Sequence, residues 1–461
     1  MNGKTIVVVG LARSGCAVGA LLRRHGARVI GVDDSTRQQV EDRWQAEQLT
    51  ELAPTAFDEI ICETGWPQQV AGKLDGVALS PGVPRNHPGL QSVARSIPLL
   101  GELEWAARFC RATCIAITGT NGKSTTTELV AHLARAAGWR AEALGNVGRP
   151  LSLLADELTP DDLAVLEVSS FQLETIDRFR PRVGLVLNLA PDHLDRYPDL
   201  QAYYETKLKL ADAVADDGRF VTWTGCPEAL AWPTNQPPLL FGQRGAGAAV
   251  YWENDRLWID DGQEPWSVVS RDEFPLPSDA NLINSSAAVA ALLPLQPERS
   301  GLTSGLASFS GLPHRQQIVA KLGAVSFIDD SKATNVAAVC AGLAGYADGV
   351  ILIAGGRGKG EDYRPLRDSL GVVSMVIVIG EQGPAIAEAL TGTVTLERAD
   401  SLAAAVQRAS ELAQPDGTVL LSPACASFDM FRNYHERGNA FARAAVALGA
   451  TAVAAAGEEN G

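Results

Sequence analysis

Residues 119–125, Gly-Thr-Asn-Gly-Lys-Ser-Thr, set two glycines, a lysine and hydroxyls directly after the apolar run 115–118. Glycines let the backbone approach an anion closely, and a helix opening at this point would aim free N–H groups and its positive dipole end at that anion. Lys123 would add a point charge, and Ser124 is placed to offer a hydroxyl to phosphate-bound Mg²⁺. This is phosphate chemistry, although the loop is shorter than the usual G-x-x-x-x-G-K-[ST]: Ile117, not glycine, stands five positions before Gly122. On these residues alone, a glycine turn with a surface lysine stays open. Glu167 ends the apolar run 163–168, where an unpaired carboxylate is costly to desolvate and so calls for a cation or a donor. Asp192, His193 and Asp195 follow a second apolar run, 183–189, and suit metal or proton chemistry, with a surface histidine as the plainer alternative for His193 alone.

Ligand groups gather at the carboxyl ends of parallel strands, so these residues need α/β scaffolding. The sequence supplies it three times. Residues 4–9 read as a buried strand, a helical pattern follows to His25, and a second strand ends at Asp33 and Asp34; the Pro/Gly-rich loop 78–89 follows another strand, and the unit closes near 101. A second unit, 102–311, holds strands at 113–118, 163–168 and 183–189. Its Trp-rich short strands between 220 and 270 read as an antiparallel insertion with half-buried tryptophans, and a helix over 281–293 returns to the core. Gly and Pro at 309–317 mark a hinge. A third unit, 312–461, alternates strands and helices again, and its Ala-rich tail from 446 is expected to fray.

Length supports this division: 461 residues exceed one core and fit about three domains. A formal charge of −15 opposes nucleic acid and anionic membrane as partners, so any anionic substrate needs local donors. The 7 cysteines lack the paired spacing of a disulfide framework and read as reduced thiols; Cys110 and Cys114 are expected on one helix face without a metal. No run reaches the roughly 18 apolar residues that span a bilayer, and a cytoplasmic protein is expected. Gly10, Ala12 and Gly15 make an imperfect G-x-G-x-x-G with Asp33 at the second strand's end, which leaves an NAD-dependent dehydrogenase as a rival reading.

The ordered motifs GTNGKST, GNVG, EVSSFQLE and DHLDRY, with SPG at 80–82, SGLPHR at 310–315, DDSKATN at 329–335, SPACASFDMF and ERGNAF, resemble the Mur ligase family along the whole chain. The resemblance implies an α/β fold of three domains: Rossmann-like at the N-terminus, a P-loop-type central ATPase, and Rossmann-like at the C-terminus. It implies a monomeric, ATP-dependent amide ligase that joins glutamate to UDP-N-acetylmuramoyl-L-alanine through an acyl phosphate, with two Mg²⁺ ions. A sister ligase using L-glutamate or another amino acid stays open.

By the same resemblance Gly119, Thr120, Asn121, Gly122, Lys123, Ser124 and Thr125 would hold the ATP phosphates. Asn281 and Asn284 would contact adenine, and Arg315 and Asp330 would reach ATP from the third domain. Ser124 and Glu167 would bind one metal. His193 would help hold the second, with Lys207, which matches a family lysine that becomes carbamylated; by spacing alone Lys207 is equally a surface helix lysine. Lys123, His193 and Lys207 would be the catalytic set. Arg13, Ser14, Asp33 and Gly82 would hold the UDP end, and Asn146 the muramoyl part. Thr334, Lys359, Ser427, Phe428 and Tyr434 would form the glutamate pocket. Ala280 stands where the family often has histidine, Tyr434 where phenylalanine is common, and GGRGKG replaces the more usual loop around Lys359.

Overall fold

The computed structural model describes residues 1–453 except 64, 71–73, 94–96, 147, 194–195, 277, 347 and 359. Its strands form three sheets, of five, nine and seven strands. Lys359 lies outside the described residues.

The first sheet comprises β1 (Thr5–Val9), β2 (Arg28–Asp33), β3 (Glu59–Cys62), β4 (Gly76–Leu79) and β5 (Leu99–Gly101). Its order is β3-β2-β1-β4-β5, all parallel. The Val/Ile run of β1 is buried because parallel strands are covered on both faces. The strand order reverses between β1 and β4, which opens a crevice over their carboxyl ends. There Gly10 takes a φ of 89° and Ser80 Oγ donates to its carbonyl at 2.7 Å.

The second sheet holds β6 (Thr113–Thr118), β7 (Ala141–Gly145), β8 (Leu163–Glu167), β9 (Val183–Val186), β10 (Arg219–Trp223), β11 (Leu239–Gly242), β12 (Val250–Glu253), β13 (Arg256–Ile259) and β14 (Trp266–Ser270). Its order is β14-β13-β12-β11-β10-β9-β6-β8-β7. The expected antiparallel insertion is corrected here. β10, β11 and β12 continue the sheet in parallel, and only β13 and β14 run antiparallel to their neighbours. The physical reason is continuity of the core: Val221, Phe241, Val250, Leu257 and Val269 pack with Ile115 and Val165 in one cluster under the helices Lys123–Ala136 and Asp279–Leu292. Trp252 is partly buried at this edge and donates to Leu282 O at 3.0 Å, as half-buried sheet tryptophans do.

The third sheet runs β19-β18-β17-β20-β16-β15-β21. These are β15 (Gln317–Leu322), β16 (Val325–Asp329), β17 (Val350–Gly355), β18 (Val373–Ile379), β19 (Thr395–Arg398), β20 (Thr418–Leu421) and β21 (Thr451–Ala452). The β15–β16 hairpin is antiparallel, whereas β16, β20, β17, β18 and β19 are parallel. Part of the tail expected to fray is placed: the last helix runs Tyr434–Ala447, and β21 pairs with β15. The expected Cys110/Cys114 helix face is also corrected, because Cys110 follows the short helix Glu102–Ala107 while Cys114 lies in β6. Among the described residues no helix is long and apolar enough to cross a membrane.

Candidate active site

β6 lies between β8 and β9, and the chain leaves its carboxyl end through Gly119 and Gly122 into the helix Lys123–Ala136. Gly119 has φ 148° and Gly122 φ 83°, backbone that L side chains rarely adopt. A Cβ on Gly119 would meet Leu187 Cβ at 2.9 Å. The loop is clamped to the segment after β9: Thr120 N donates to Asn188 O at 2.9 Å, Asn121 N to Asn188 Oδ1 at 2.9 Å, and Asn188 Nδ2 to Asn121 O at 3.0 Å. Thr120 Oγ1 adds a bond to Ala190 O at 3.0 Å. A cradle fixed in this way needs little rearrangement to receive an anion.

Two lysines converge on the loop. Lys123 Nζ donates to Gly119 O at 2.9 Å and Thr120 O at 2.8 Å, while Lys207 Nζ, 2% exposed, reaches Gly119 O at 2.9 Å from the helix Leu200–Ala213. Lys207 is therefore not a surface lysine. Burial, and then repulsion from Lys123, hold its amine well below the usual lysine range. Burial lowers Lys123 as well, against the attraction of Glu167.

Glu167 ends β8 in a buried setting and finds the donor its burial demands: Asn146 Nδ2 donates to Oε1 at 2.9 Å. His193 takes φ 54° beside the Phe171 ring, at 4.9 Å between centroids. From the third sheet's leading segment, Arg315 Nη2 donates to Ser124 Oγ at 3.2 Å, and its buried Nε has no hydrogen-bond partner among the described residues. Lys332, in the turn after β16, reaches Ser124 Oγ at 3.5 Å, and burial lowers its amine to about 8. Asp330 beside it accepts from Gln316 Nε2 at 2.7 Å and Ser422 Oγ at 2.9 Å, and burial pushes its carboxyl up to about 7.

One cavity of about 470 Å³ lies at the far end of the second sheet, by Arg182, Arg219 and Arg299, and includes none of the residues expected to act. The cavity of about 730 Å³ at the phosphate loop is the candidate site. It is lined by the loop from Thr120 to Thr125 and by Asn146, Glu167, His193, Asn281, Asn284, Arg315, Asp330, Thr334 and Tyr434. Gly119 and Lys207 stand immediately behind the loop. Asn284 accepts from Thr126 Oγ1 at 3.4 Å and packs behind Gly122, so it backs the loop.

Arg13, Ser14, Asp33 and Gly82 lie apart, at the first sheet's crevice. Asp33 is fully engaged there, accepting from Leu11 N, Ser35 N and Arg43 Nη1, each at 3.0 Å. Arg13 Nη1 donates to Gly148 O at 3.3 Å, across to the second sheet. Arg196 Nη1 holds Pro81 O at 3.1 Å and Arg85 Nη1 holds Glu174 O at 2.7 Å, so the loop bearing Gly82 is docked on the second sheet. Ser427 is buried and Phe428 is 64% exposed, and neither lines the cavity. Sequence reasoning missed Asn188 and Lys332 as site residues. Each sits just past a strand end, which is a usable signal, but their reach to a partner on another segment is not written locally.

A clamped phosphate loop at the carboxyl edge of a parallel sheet, faced by cations from a second α/β layer, defines a nucleotide-dependent α/β enzyme. Residues 117–292 match the model of the Mur ligase middle domain, and residues 314–425 that of the Mur ligase, glutamate ligase domain. A protein of Hahella chejuensis is 38% identical, covering 95% of this chain and 97% of its own length. One from Syntrophotalea carbinolica is 40% identical over 97% and 98%. Both are named UDP-N-acetylmuramoylalanine--D-glutamate ligase. Among solved structures, a pseudomurein peptide ligase type C from Methanothermus fervidus aligns with TM-score 0.59 at 18% identity, covering 91% of this chain and 96% of that one. The MurF ligase from Thermotoga maritima in complex with ADP aligns equally, with TM-score 0.59 at 16% identity and coverage of 91% and 96%. These two likenesses concern the fold. The chain belongs to the Mur ligase family, and it is an ATP-dependent amide ligase.

Proposed function

We propose that this chain joins D-glutamate to UDP-N-acetylmuramoyl-L-alanine in peptidoglycan precursor synthesis, using residues 1–101, 102–311 and 312–461 as three domains. The observation that carries the reading is the convergence of Arg315 and Lys332 on Ser124, with Lys123 lining the same cavity at the phosphate loop. A carboxylate repels nucleophiles and lacks a leaving group, so the alanyl carboxylate must first take the γ-phosphoryl of ATP. The loop amides and Lys123 hold the β- and γ-phosphates, and the buried Arg315 Nε, which has no partner among the described residues, is a donor suited to an anion there. Arg315 and Lys332 offset charge on the transferring oxygens. The glutamate amine then attacks the acyl phosphate, an amide forms and phosphate leaves. Because water would hydrolyse the acyl phosphate, the third domain closes over the second about the segment near 311.

The Ser124 hydroxyl and Glu167 carboxylate are hard oxygen donors, which suit Mg²⁺. Among the described residues no cluster of three His, Cys, Asp or Glu forms a cage, and Mg²⁺ is ordinarily held by few protein ligands plus substrate phosphates. When bound, Mg²⁺ supplies Lewis-acid stabilisation of phosphoryl oxygens. Ser124 and Glu167 would hold one ion; His193 and a carbamylated Lys207 would hold a second. Burial lowers the Lys207 amine and so favours its neutral form, the one that adds carbon dioxide with loss of a proton. Arg13, Ser14 and Gly82 would hold the UDP end at the first sheet's crevice, with Asp33 shaping the turn beneath it. Asn281 and Asn284 border the nucleotide and Asn146 orients Glu167 at the muramoyl approach; of the described residues expected at the glutamate pocket, Thr334 and Tyr434 line the cavity.

The test is phosphate release with UDP-N-acetylmuramoyl-L-alanine, ATP and either D- or L-glutamate. Turnover should require all three substrates and favour the D enantiomer. Equal release without glutamate, or preference for L-glutamate, would reject the assignment.

A further inference from the structure

Tyr434 opens the last helix, and its hydroxyl has a specific partner. Lys332 Nζ donates to that hydroxyl at 3.0 Å and sits 4.8 Å from the ring centroid of the same tyrosine. The same ammonium reaches Ser124 Oγ on the phosphate loop, 208 positions away in sequence. Its surroundings oppose this position: burial disfavours its charge, Arg315 and Lys123 repel it, and Glu167 attracts it. A flexible lysine between two cations would swing toward Glu167 unless something held it.

Tyr434 is itself rigidly placed. Ser331 Oγ donates to Tyr434 O at 2.8 Å, and the fully buried Arg437 one turn along donates to Ser331 O at 2.7 Å and Cys425 O at 3.1 Å. Helix, strand end and lysine thus form one unit.

We propose that Tyr434 is a positioning residue, whose hydroxyl and ring fix the Lys332 ammonium over the phosphate loop to meet the terminal phosphate of the nucleotide. Its side chain serves the nucleotide rather than glutamate. The inference rests on the ATP-dependent ligase reading for its effect on turnover, but the tether itself can be read by nucleotide binding alone.

The experiment uses the full chain with Tyr434→Phe, Lys332→Met and the double variant, in two assays. One is calorimetric binding of Mg²⁺ with a non-hydrolysable ATP analogue, and the other is steady-state phosphate release. Tyr434→Phe should weaken analogue binding or lower kcat by about tenfold or more, the order expected for one hydrogen bond to a charged group. The glutamate KM should stay within about twofold, and the double variant should match Lys332→Met because the two side chains act as one. A raised glutamate KM at unchanged kcat, losses that multiply in the double variant, or no effect of Tyr434→Phe in either assay would overturn the proposal. If no turnover is found with glutamate but the coupling in analogue binding persists, the tether stands and the acceptor assignment falls.

Discussion

Among the described residues Lys123 Nζ bonds two carbonyls of its own loop, so its amine is available to a phosphate at small cost to the resting fold. Lys123→Ala should therefore lower kcat by at least about a hundredfold, since it removes a preorganised charge from the transferring phosphoryl. Its thermal unfolding should stay close to that of the parent chain. Near-normal turnover would remove this lysine from the mechanism. Asp330 makes a different kind of prediction. Its carboxyl is raised by burial from an ordinary 3.8 to about 7, so the folded chain binds this proton more tightly than the unfolded chain. The stability associated with that proton is fully present below the unfolded value and is lost as pH rises through about 7. Melting temperature should fall between about pH 4 and 7 in the parent protein, and Asp330→Asn should lack that component of the decline. Parallel melting curves across this range for both proteins would show that Asp330 is not the titrating group.

At the level of single elements, the loop 119–122 works because two positive-φ glycines let it fold tightly against residues 187–190 and against Asn284. Gly122→Ala puts a Cβ into Asn284 and forces an unfavourable backbone conformation, which should cost about 1–3 kcal/mol of stability. Nucleotide binding should fall further than stability, because the loop amides would no longer converge. Urea unfolding and analogue binding measured on the same preparation separate the two effects. Unchanged affinity despite lost stability would mean that the amides are not the phosphate receptor. The helix Leu200–Ala213 has a similar local logic: Asp199 caps its N-terminus, accepting from Ala202 N at 2.8 Å, and its inner face delivers Lys207 beneath the loop.

Across the whole molecule, the third layer meets the second through the polar contacts of Arg315 and Lys332 onto Ser124, through the helices Asp279–Leu292 and Val336–Leu343, and through the segment 309–316. A bound polyanion adds ligands to Arg315 and Lys332 and should tighten that junction. We expect an ATP analogue with Mg²⁺ to slow proteolysis at 309–313 several-fold, as binding to a closed form shifts the population toward it. Cleavage at the same rate with and without nucleotide would argue against closure. The first sheet joins the assembly differently. Arg196 and Arg85 fasten its 80–85 loop to the second sheet, with Arg196 Nη2 also paired to Glu174 at 2.9 Å. A long substrate with one end in the first crevice therefore has a fixed platform leading to the phosphate loop.

The glycine spacing, the apolar runs that become β1, β6, β8 and β9, and the carboxylate at the end of β8 were all legible along the chain. Each is a local consequence of φ preference, side-chain period or desolvation. Resemblance of ordered motifs supplied the family. What sequence order left undecided was how far the second sheet extends, since β10 to β12 join it in parallel only because their apolar faces share its core. It also left open whether Lys207 is exposed, that Asn188 clamps the loop, and that Asp33 is consumed by Leu11, Ser35 and Arg43. Lys332 gave no hint of reaching Ser124, nor Tyr434 of holding Lys332. Those contacts join segments far apart in the chain, and their geometry follows from the packing of whole sheets and helices, a sum over many residues that no short window contains.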